Sequence, residues 1–357
     1  MFKRRVAQLT EQMQDKGIQA LMITDSKNRM YLSGFTGSSG VLIVTLKGTY
    51  LLTDFRYIEQ AQAQVDESIQ VVQHEQPVTK TILELMMELT IKELVFEKHH
   101  LAYGRYETYQ KELEGIHLIP GEDLVSQLRL VKDEQEIKLM EKAIAIADEA
   151  FLHIINYIEE GVKERDLSLE LEHFMKSQGA SAAAFEIIVA SGERAALPHG
   201  VASDKKLKKG EFVKMDFGAK YQGYCSDITR TVVLGNASNK QKEIYNLVLA
   251  AQTNALEMIE TGLTAKQADR LARSIIEKSG YGEYFGHGLG HGIGLNVHEN
   301  PRLSPHYDTQ LAEGMTVTIE PGVYIPGFGG VRIEDIIVMK ASGCQVLTQS
   351  TKELIEI

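Results

Sequence analysis

The sequence predicts a two-domain protein of the α/β (α+β) class, and three observations support this prediction. The chain has 357 residues, more than the roughly 100–200 of a typical domain. Residues 1–125 alternate short apolar runs with helical patterns, as in a small α/β domain. In residues 126–357 a unit of two helices followed by a strand hairpin occurs twice, which predicts a larger domain with an internal pseudo-two-fold repeat.

The composition favours a globular protein of the cytoplasm. Apolar residues make up 43% of the chain and charged residues 24%, which are ordinary values. With 38 Lys and Arg against 49 Asp and Glu, the net charge is −11, which argues against nucleic-acid and anionic-membrane partners. The two cysteines form no disulfide framework. Neither a signal peptide nor an apolar run of about 18 residues is found, so we expect a cytoplasmic location.

The first domain is expected to build its own core from alternating strands and helices. Val6, Leu9 and Met13 recur at helical spacing and predict an amphipathic first helix. No metal-ligand spacing occurs in this part of the chain. Apolar runs predict strands at 20–23, 41–44 and 50–53, and periodic patterns predict helices at 79–89 and 103–113.

The second domain is expected to open with a long helix. Asp133 and Glu136 have the spacing of a capping box, in which each side chain bonds to a backbone amide of the first turn. Apolar residues then recur on one face as far as Ile155, which predicts a helix packed against a core.

Matching glycines mark the internal repeat. Gly161 and Gly262 each follow one helical segment, and Gly179 and Gly280 each end the next, so that the members of both pairs are 101 residues apart. Each copy then continues into a strand hairpin that bears two acidic residues. The repeat therefore predicts two hairpins in equivalent positions.

The first hairpin, Glu211–Thr231, joins two apolar strands through the segment 218–223. With a four-residue loop at 220–223, Asp216 lies directly opposite Asp227, with their Cβ atoms about 4.5–5.5 Å apart. Like charges repel at this separation. Two facing carboxylates therefore need a cation between them or have to share a proton.

The second hairpin, Thr316–Ile336, offers the same arrangement. Its loop centres on Gly327, which places Glu320 opposite Glu334. A single acidic residue is more often a solvated surface residue. Four acids at mirrored positions in two apolar hairpins instead predict one shared site.

Glycine alternates with other residues in the segment Phe285–His298, at every second position from 286 to 294. Glycine at that density opposes a helix, so an extended run places His287 and His291 on one face. His298 follows seven residues after His291. A lone histidine is usually structural or exposed, but three in one glycine-rich strand beside an acid cluster predict a site.

Other residues are candidates by their position. Arg332 lies two residues before Glu334, on the same side of the strand, where it is expected to orient a ligating carboxylate. Thr229 and Thr318 each lie two residues from an acid of their hairpin. His199 lies in Pro-His-Gly, a weaker signal because this tripeptide is also typical of a turn.

The acids and one histidine together predict a metal centre. Carboxylate oxygens with an imidazole suit Mn²⁺, Fe²⁺, Co²⁺ or Zn²⁺. Opposed carboxylates bridge two such ions about 3.5–4 Å apart in hydrolytic sites. The candidate metal ligands are Asp216, Asp227, His291, Glu320 and Glu334.

At these residues the chain resembles the pita-bread metallopeptidases, and most closely their aminopeptidase P and prolidase branch. The resemblance implies a C-terminal pita-bread domain, a smaller creatinase/prolidase-like domain before it, two divalent ions with Mn²⁺ as the first choice, and a homodimer. Methionine aminopeptidases lack such a first domain. The motifs that carry the resemblance are MDFGAKYQGYCSDITRT, HGLGHGIGLNVHE, GMTVTIEPGVY and GGVRIED, with NRMYLSGFTGSSG in the first domain.

The resemblance also implies a role for each ligand. Asp216 is expected to bind one ion only, whereas Asp227 and Glu334 are expected to bridge both. His291 and Glu320 are expected to complete the coordination of the second ion.

The residues expected to serve catalysis surround this centre. Glu320 is expected to handle the proton of the attacking water. His298 is expected to stabilise the tetrahedral intermediate, and His199 to hold the substrate or its leaving nitrogen. His287 matches a substrate-side histidine of the family, and Arg332 matches the arginine that supports a ligand.

The activity implied by the resemblance is hydrolysis of the bond between an N-terminal residue and proline in a peptide substrate. Prolidases carry an arginine in the loop that precedes the GMTVTIEP strand. In this chain that loop is residues 300–313, which offer Arg302 and His306. Counting back from Glu320 puts His306 at that position, which favours an Xaa-Pro aminopeptidase of the aminopeptidase P type. The alternative is an Xaa-Pro dipeptidase restricted to dipeptides. A non-catalytic pita-bread binding module is a third possibility, and the complete ligand set argues against it.

Overall fold

The computed structural model describes residues 1–357, which form two compact units, Met1–Arg129 and Leu130–Ile357. The boundary predicted between residues 125 and 126 falls inside a helix of the first unit, Leu124–Arg129. None of the helices combines the length and the apolar character needed to span a bilayer.

The first unit is one six-stranded sheet with six α-helices. Its strands are β1 (Ala20–Ile23), β2 (Val41–Thr45), β3 (Thr49–Thr53), β4 (Ile69–Gln73), β5 (Glu93–Glu97) and β6 (His117–Gly121). Its helices are α1 (Phe2–Asp15), α2 (Ser26–Ser33), α3 (Ile58–Gln64), α4 (Val78–Glu88), α5 (Tyr103–Glu112) and α6 (Leu124–Arg129).

The sheet of the first unit is mixed, with the strand order β4-β3-β2-β1-β5-β6. β1, β2 and β3 pair antiparallel, whereas β3–β4, β1–β5 and β5–β6 pair parallel. Met22, Ile43 and Leu52 are fully buried in the core of this unit. The strands and helices predicted from the apolar pattern are confirmed to within a residue or so at each end.

The second unit contains four α-helices and thirteen strands. Its helices are α7 (Glu134–Ile154), α8 (Glu164–Ser177), α9 (Asn239–Met258) and α10 (Ala265–Lys278). Its strands are β7 (Ala182–Ala183), β8 (Ile188–Ser191), β9 (Glu211–Phe217), β10 (Ala219–Tyr221), β11 (Tyr224–Cys225), β12 (Ile228–Leu234), β13 (Gly290–Gly292), β14 (Glu299–Leu303), β15 (Thr316–Ile319), β16 (Gly322–Ile325), β17 (Gly329–Arg332), β18 (Asp335–Met339) and β19 (Cys344–Val346).

Helix α7 begins at the predicted capping box. The Asp133 side chain accepts hydrogen bonds from the amides of Gln135 and Glu136, and the Glu136 side chain accepts from the amide of Asp133. Phe151 and Ile154 at its other end are buried in the core. Both the start of this helix and its apolar face were therefore readable from the residue pattern.

The two halves of the second unit repeat one arrangement. α7 and α8 precede the hairpin β9–β12, and α9 and α10 precede the hairpin β15–β18. The repeated glycines have matching backbone conformations, with φ of 91° at Gly161 and 96° at Gly262, and of 101° at Gly179 and 82° at Gly280. Glycine is favoured at such left-handed turns because it has no Cβ. The predicted repeat is thus present in the local geometry.

Strand alternation directs the polar side chains of β9 away from the helices. Val213, Met215 and Phe217 are buried in one core cluster with residues of α7 and α8. Lys214 and Asp216 alternate with them and so point to the opposite face. This opposite face carries the candidate site.

The register of the first hairpin differs from the prediction. Asp216 pairs with Thr229 rather than with Asp227. The hairpin closes through a two-residue turn, Gln222 and Gly223, whose φ values of 45° and 90° are both positive, and not through a loop at 220–223. The direct opposition predicted for Asp216 and Asp227 is therefore wrong. Because the register has moved by two residues, both acids stay on the same face.

The predicted register of the second hairpin is confirmed. Gly322 pairs with Arg332 and Ile319 with Asp335, so the hairpin is symmetric about residue 327. Glu320 and Glu334 lie in the short gaps between β15 and β16 and between β17 and β18. The amide of Glu320 donates to the Leu289 carbonyl and that of Glu334 to the Thr229 carbonyl, so the ladder of the hairpin is interrupted at these two acids.

Candidate metal centre

The predicted site residues of both hairpins and of the glycine-rich segment share one cavity. Its volume is about 650 Å³. It lies entirely within the second unit. The predicted residues that line it are His199, Asp216, Asp227, His287, His291, His298, Glu320, Arg332 and Glu334.

The carboxylates and His291 converge at the base of the cavity. His291 Nε2 lies 3.3 Å from Glu320 Oε1 and 3.7 Å from Asp227 Oδ2. Ligand atoms of Asp227, His291 and Glu334 all lie within 4.8 Å of one another, and all three residues are buried. This set of hard oxygens and one imidazole nitrogen is the donor type that divalent transition metals bind.

Two buried carboxylate oxygens in the cluster lack any hydrogen-bond partner. They are Asp216 Oδ1 and Glu334 Oε1. Buried polar atoms in folded proteins are nearly always paired, so an unpaired carboxylate oxygen requires an explanation. A divalent cation bound to these oxygens would supply the missing partner. The residues present therefore fit a metal ion.

The electrostatics of the cluster lead to the same conclusion. Burial, reinforced by the charges of the neighbouring acids, raises the pKa of Asp227 and of Glu334 well above their ordinary values. Burial raises the pKa of Glu320 to about 7. Such crowded acids release their protons readily only when a cation compensates their charge.

A hydrogen-bonded relay supports the ligands from behind. The Thr229 hydroxyl donates to Glu334 Oε2 at 2.7 Å and accepts from Arg332 Nε at 2.9 Å. The Arg332 guanidinium also donates to Asp216 Oδ2. Arg332 is 3% exposed, and although burial lowers its pKa, the charges of Tyr324 and the nearby acids raise it further, so it remains a cation. One arginine thereby holds one acid of the first hairpin directly and one of the second through a threonine.

The alternating glycines bring backbones together. A Cβ on Gly290 would lie 2.0 Å from the carbonyl oxygen of Thr318, and one on Gly292 would lie 2.1 Å from that of Asn300. Only glycine permits these approaches, which seat β13 between β14 and β15. The intervening side chain of His291 is left to face the acids.

The tautomer of His291 suits a metal ligand. Its Nδ1 is hydrogen-bonded to the Gly292 carbonyl at 3.1 Å, so Nδ1 carries the proton and Nε2 presents its lone pair to the acids. Burial lowers the pKa of His291 to about 3 and keeps the ring neutral, as ligation requires.

The other histidines are arranged differently. Both ring nitrogens of His287 are engaged, Nδ1 with the Gly288 carbonyl at 2.7 Å and Nε2 with the Tyr324 hydroxyl at 2.8 Å. The ring of His298 lies 4.3 Å from that of His291, between centroids. His199 and His298 are exposed at the cavity wall, where a substrate can reach them.

Comparison with known families identifies the second unit. Residues 138–341 match the model for metallopeptidase family M24, and residues 5–131 match that for the creatinase/prolidase N-terminal domain. The chain belongs to metallopeptidase family M24. It is therefore a hydrolase whose pita-bread domain follows a creatinase-type domain, and the family predicted from the motifs is confirmed.

Several M24 relatives match over nearly the whole chain. An Xaa-Pro dipeptidase from Bacillus anthracis superposes with a TM-score of 0.98 at 47% identity and covers 100% of both chains. An Xaa-Pro dipeptidase from Pyrococcus horikoshii is 43% identical over 99% of both sequences. An X-Pro aminopeptidase from Thermotoga maritima has a TM-score of 0.91 at 39% identity, and covers 96% of this chain and 98% of that one.

Two further buried residues near the site did not emerge from the motifs. The Tyr324 hydroxyl contacts Arg332 Nη1 at 2.8 Å as well as His287. Lys214 is fully buried, with Nζ 4.9 Å from the centre of the Tyr324 ring. Burial lowers the pKa of Lys214 to about 6. Both residues have the strand parity of a neighbouring acid, Tyr324 with Glu320 and Lys214 with Asp216, and this parity was the available signal.

The cavity wall contains further residues that the motifs do not mark. Phe185 and Ile188 contribute apolar surface, and Glu186 an exposed carboxylate. Arg302 and Tyr307 lie on the wall that β14 and the following segment form. His306, in contrast, is exposed and does not line the cavity.

Proposed function

We propose that this M24 chain is a metal-dependent Xaa-Pro dipeptidase. Two of the relatives described above carry that name, at 47% and 43% identity. Their names support the dipeptidase alternative over the aminopeptidase P type that the position of His306 favoured. The X-Pro aminopeptidase of Thermotoga maritima, at 39% identity, keeps cleavage of longer peptides as the second candidate.

One observation carries this proposal, namely a cation beside the acid cluster. Arg302 on β14 pairs with His291 on β13, so their side chains leave the sheet on the same side. The Arg302 side chain lines the cavity, and no hydrogen bond or ion pair from its guanidinium to another residue is found. A dipeptide that ends in proline carries a free carboxylate one residue beyond the bond to be cut. An arginine binds such a carboxylate with paired hydrogen bonds.

We assign the metal ligands as the resemblance implies. Asp216 would bind one ion, Asp227 and Glu334 would be shared by both, and His291 and Glu320 would complete the coordination of the second. Two divalent ions, with Mn²⁺ as our first choice, suit this set of donors. The chemistry that bound divalent ions supply is activation of a water molecule for attack on the carbonyl of the scissile bond.

The protein groups then manage substrate and protons. Glu320 takes a proton from the attacking water and returns it to the proline nitrogen as the peptide bond breaks, so that water is added across the bond and no proton is lost. His298 donates to the oxyanion of the tetrahedral intermediate, and His199 holds the substrate near its leaving nitrogen. Arg332 keeps Asp216 in position. A homodimer stays a prediction from the family resemblance.

Replacing Arg302 tests the dipeptidase proposal. Arg302→Met keeps the unbranched apolar stem of the side chain and removes the cation, so KM for an Xaa-Pro dipeptide should rise about 10- to 100-fold, because a desolvated ion pair is lost. Cleavage of an Xaa-Pro-Yaa tripeptide, already slower in the parent, should change little. Arg270→Met, at an exposed helical position paired with Glu277, is the matched control. Equal losses on both peptides, or a parent that prefers the tripeptide, would contradict the proposal.

A further inference from the structure

Lys214 makes unusual contacts for a lysine. Its side chain is fully buried on β9, two residues before Asp216. Its Nζ donates to the carbonyl oxygens of Leu197 at 2.6 Å and Pro198 at 3.3 Å, and lies over the face of the Tyr324 ring. No carboxylate lies within ion-pair distance of its amino group.

A fully buried lysine with only carbonyl and ring partners is unfavourable for folding. Lysine is almost never fully buried unless it is paired, and its desolvation is repaid poorly by neutral acceptors. An apolar side chain at this position would pack with less penalty. The presence of a lysine at this position therefore has to be explained by the backbone groups to which it donates hydrogen bonds.

What Lys214 holds is the segment that carries His199. The carbonyl of Pro198, the residue just before His199, accepts hydrogen bonds both from Lys214 and from Arg332 Nη1 at 3.0 Å. The Leu197 carbonyl accepts from Lys214 and from the amide of Gly200 at 3.2 Å. Lys214 and Arg332 thus both donate hydrogen bonds to the backbone just before His199, an exposed histidine of the cavity wall.

We propose that Lys214 is a positioning residue that fixes His199 over the metal centre by clamping the Leu197 and Pro198 carbonyls. The proposal rests on the proposed function for its kinetic readout only. Arg332 supplies one half of the clamp and also holds Asp216, so the clamp ties the substrate-side histidine to the frame that supports the ligands. A displacement of about 1 Å at such a group is enough to slow catalysis many-fold.

The kinetic test is a double-mutant cycle. Lys214→Met preserves the apolar stem and removes both donated hydrogen bonds, so kcat/KM for an Xaa-Pro dipeptide should fall about tenfold with metal content unchanged. In a His199→Ala background the same substitution should change kcat/KM by about twofold or less, because it acts through His199. A cycle with His287→Ala is the matched control, since His287 is linked to Lys214 only through Tyr324. Lys208→Met, at an exposed position, controls for loss of a lysine.

A second measurement does not depend on activity. Hydrogen–deuterium exchange at the amides of Gly200 and Val201 should be at least about tenfold faster in Lys214→Met than in the parent, because the turn has lost its anchor. Lys214→Gln, which keeps an amide group as a donor on a shorter side chain, should exchange at an intermediate rate. Unchanged exchange, an undiminished effect of Lys214→Met in the His199→Ala background, or coupling to His287 instead would overturn the proposal. A parent inactive on Xaa-Pro peptides would contradict the proposed function and leave the exchange result to decide on the clamp.

Discussion

Replacing Thr229 by valine is the most selective perturbation of the metal centre that the structure offers. Valine has nearly the same shape as threonine but neither donates nor accepts a hydrogen bond. The substitution removes the bond from the Thr229 hydroxyl to Glu334 Oε2 and the bond from Arg332 Nε to that hydroxyl. Both partners, Glu334 and Arg332, are buried, so neither can turn to water instead.

The size of the effect follows from these two contacts. Hydrogen bonds to charged groups contribute about 1.5–3 kcal/mol each, and unfolding free energy should therefore fall by about 3 kcal/mol or more. Partners that orient a ligand typically change metal affinity by 10- to 100-fold, which is about 1.4–2.7 kcal/mol. Isothermal titration of chelator-treated protein with Mn²⁺ measures the second quantity, and chemical denaturation measures the first.

Thr231→Val is the matched control on the same strand and face. The Thr231 hydroxyl also makes two buried hydrogen bonds, but to the backbone of Arg332, donating to its carbonyl at 3.1 Å and accepting from its amide at 3.3 Å. Both variants should lose stability, and only Thr229→Val should lose metal affinity. Parent-like affinity in Thr229→Val, or an equal loss in Thr231→Val, would refute the idea that Thr229 orients Glu334.

Three further predictions concern the ligands, the glycine strand and pH. Asp227→Asn should lose most of the roughly two bound ions measured by metal analysis, whereas Asp216→Asn should lose fewer; equal retention would contradict the bridging assignment. Gly290→Ala should lower unfolding free energy by about 1–3 kcal/mol or more through its clash with a neighbouring backbone, while Gly286→Ala, where a Cβ meets nothing within 4 Å, should be neutral in chemical denaturation. In chelator-treated protein Asp227 and Glu320 have raised pKa values, so their protonated forms stabilise the fold fully below about pH 4. This stabilisation is lost as the pH rises through the pKa of Glu320 in the folded protein, about 7. Calorimetry should show Tm falling from acid to neutral pH without metal and the opposite trend with Mn²⁺, which competes with protons for the ligands; parallel trends would count against a cation at these acids.

The meeting of the four acids and His291 in one cavity could be predicted, although the register of one hairpin could not. A two-residue hairpin turn usually has Asn, Asp or Gly at its first position, and here Gln222 adopts a φ of 45° there. No residue type in the segment indicates that turn, so the sequence predicts the four-residue loop and the pairing of Asp216 with Asp227. Because the error was an even number of residues, the face of every side chain was unaffected.

The residues behind the ligands were only partly predictable. Strand parity placed Thr229 and Arg332 beside the acids, and both make the expected contacts. Lys214 shares that parity but is charged, and a lysine in a strand normally lies at the surface. Its amino group is covered by the Leu197–Pro198 backbone, which lies 16 to 17 residues earlier in the chain and outside its strand. Parity records which face a side chain occupies, but not which backbone segment will cover that face.

Titrating chelator-treated parent protein with Mn²⁺ while following proline release from an Xaa-Pro dipeptide measures whether cleavage of this substrate depends on the metal. We expect no release without metal, and activity that rises to a plateau near two ions per chain, since carboxylate-bridged hydrolytic sites hold about two. Proline release by fully metal-depleted protein, or no release at any metal concentration, would contradict a metal-dependent Xaa-Pro dipeptidase.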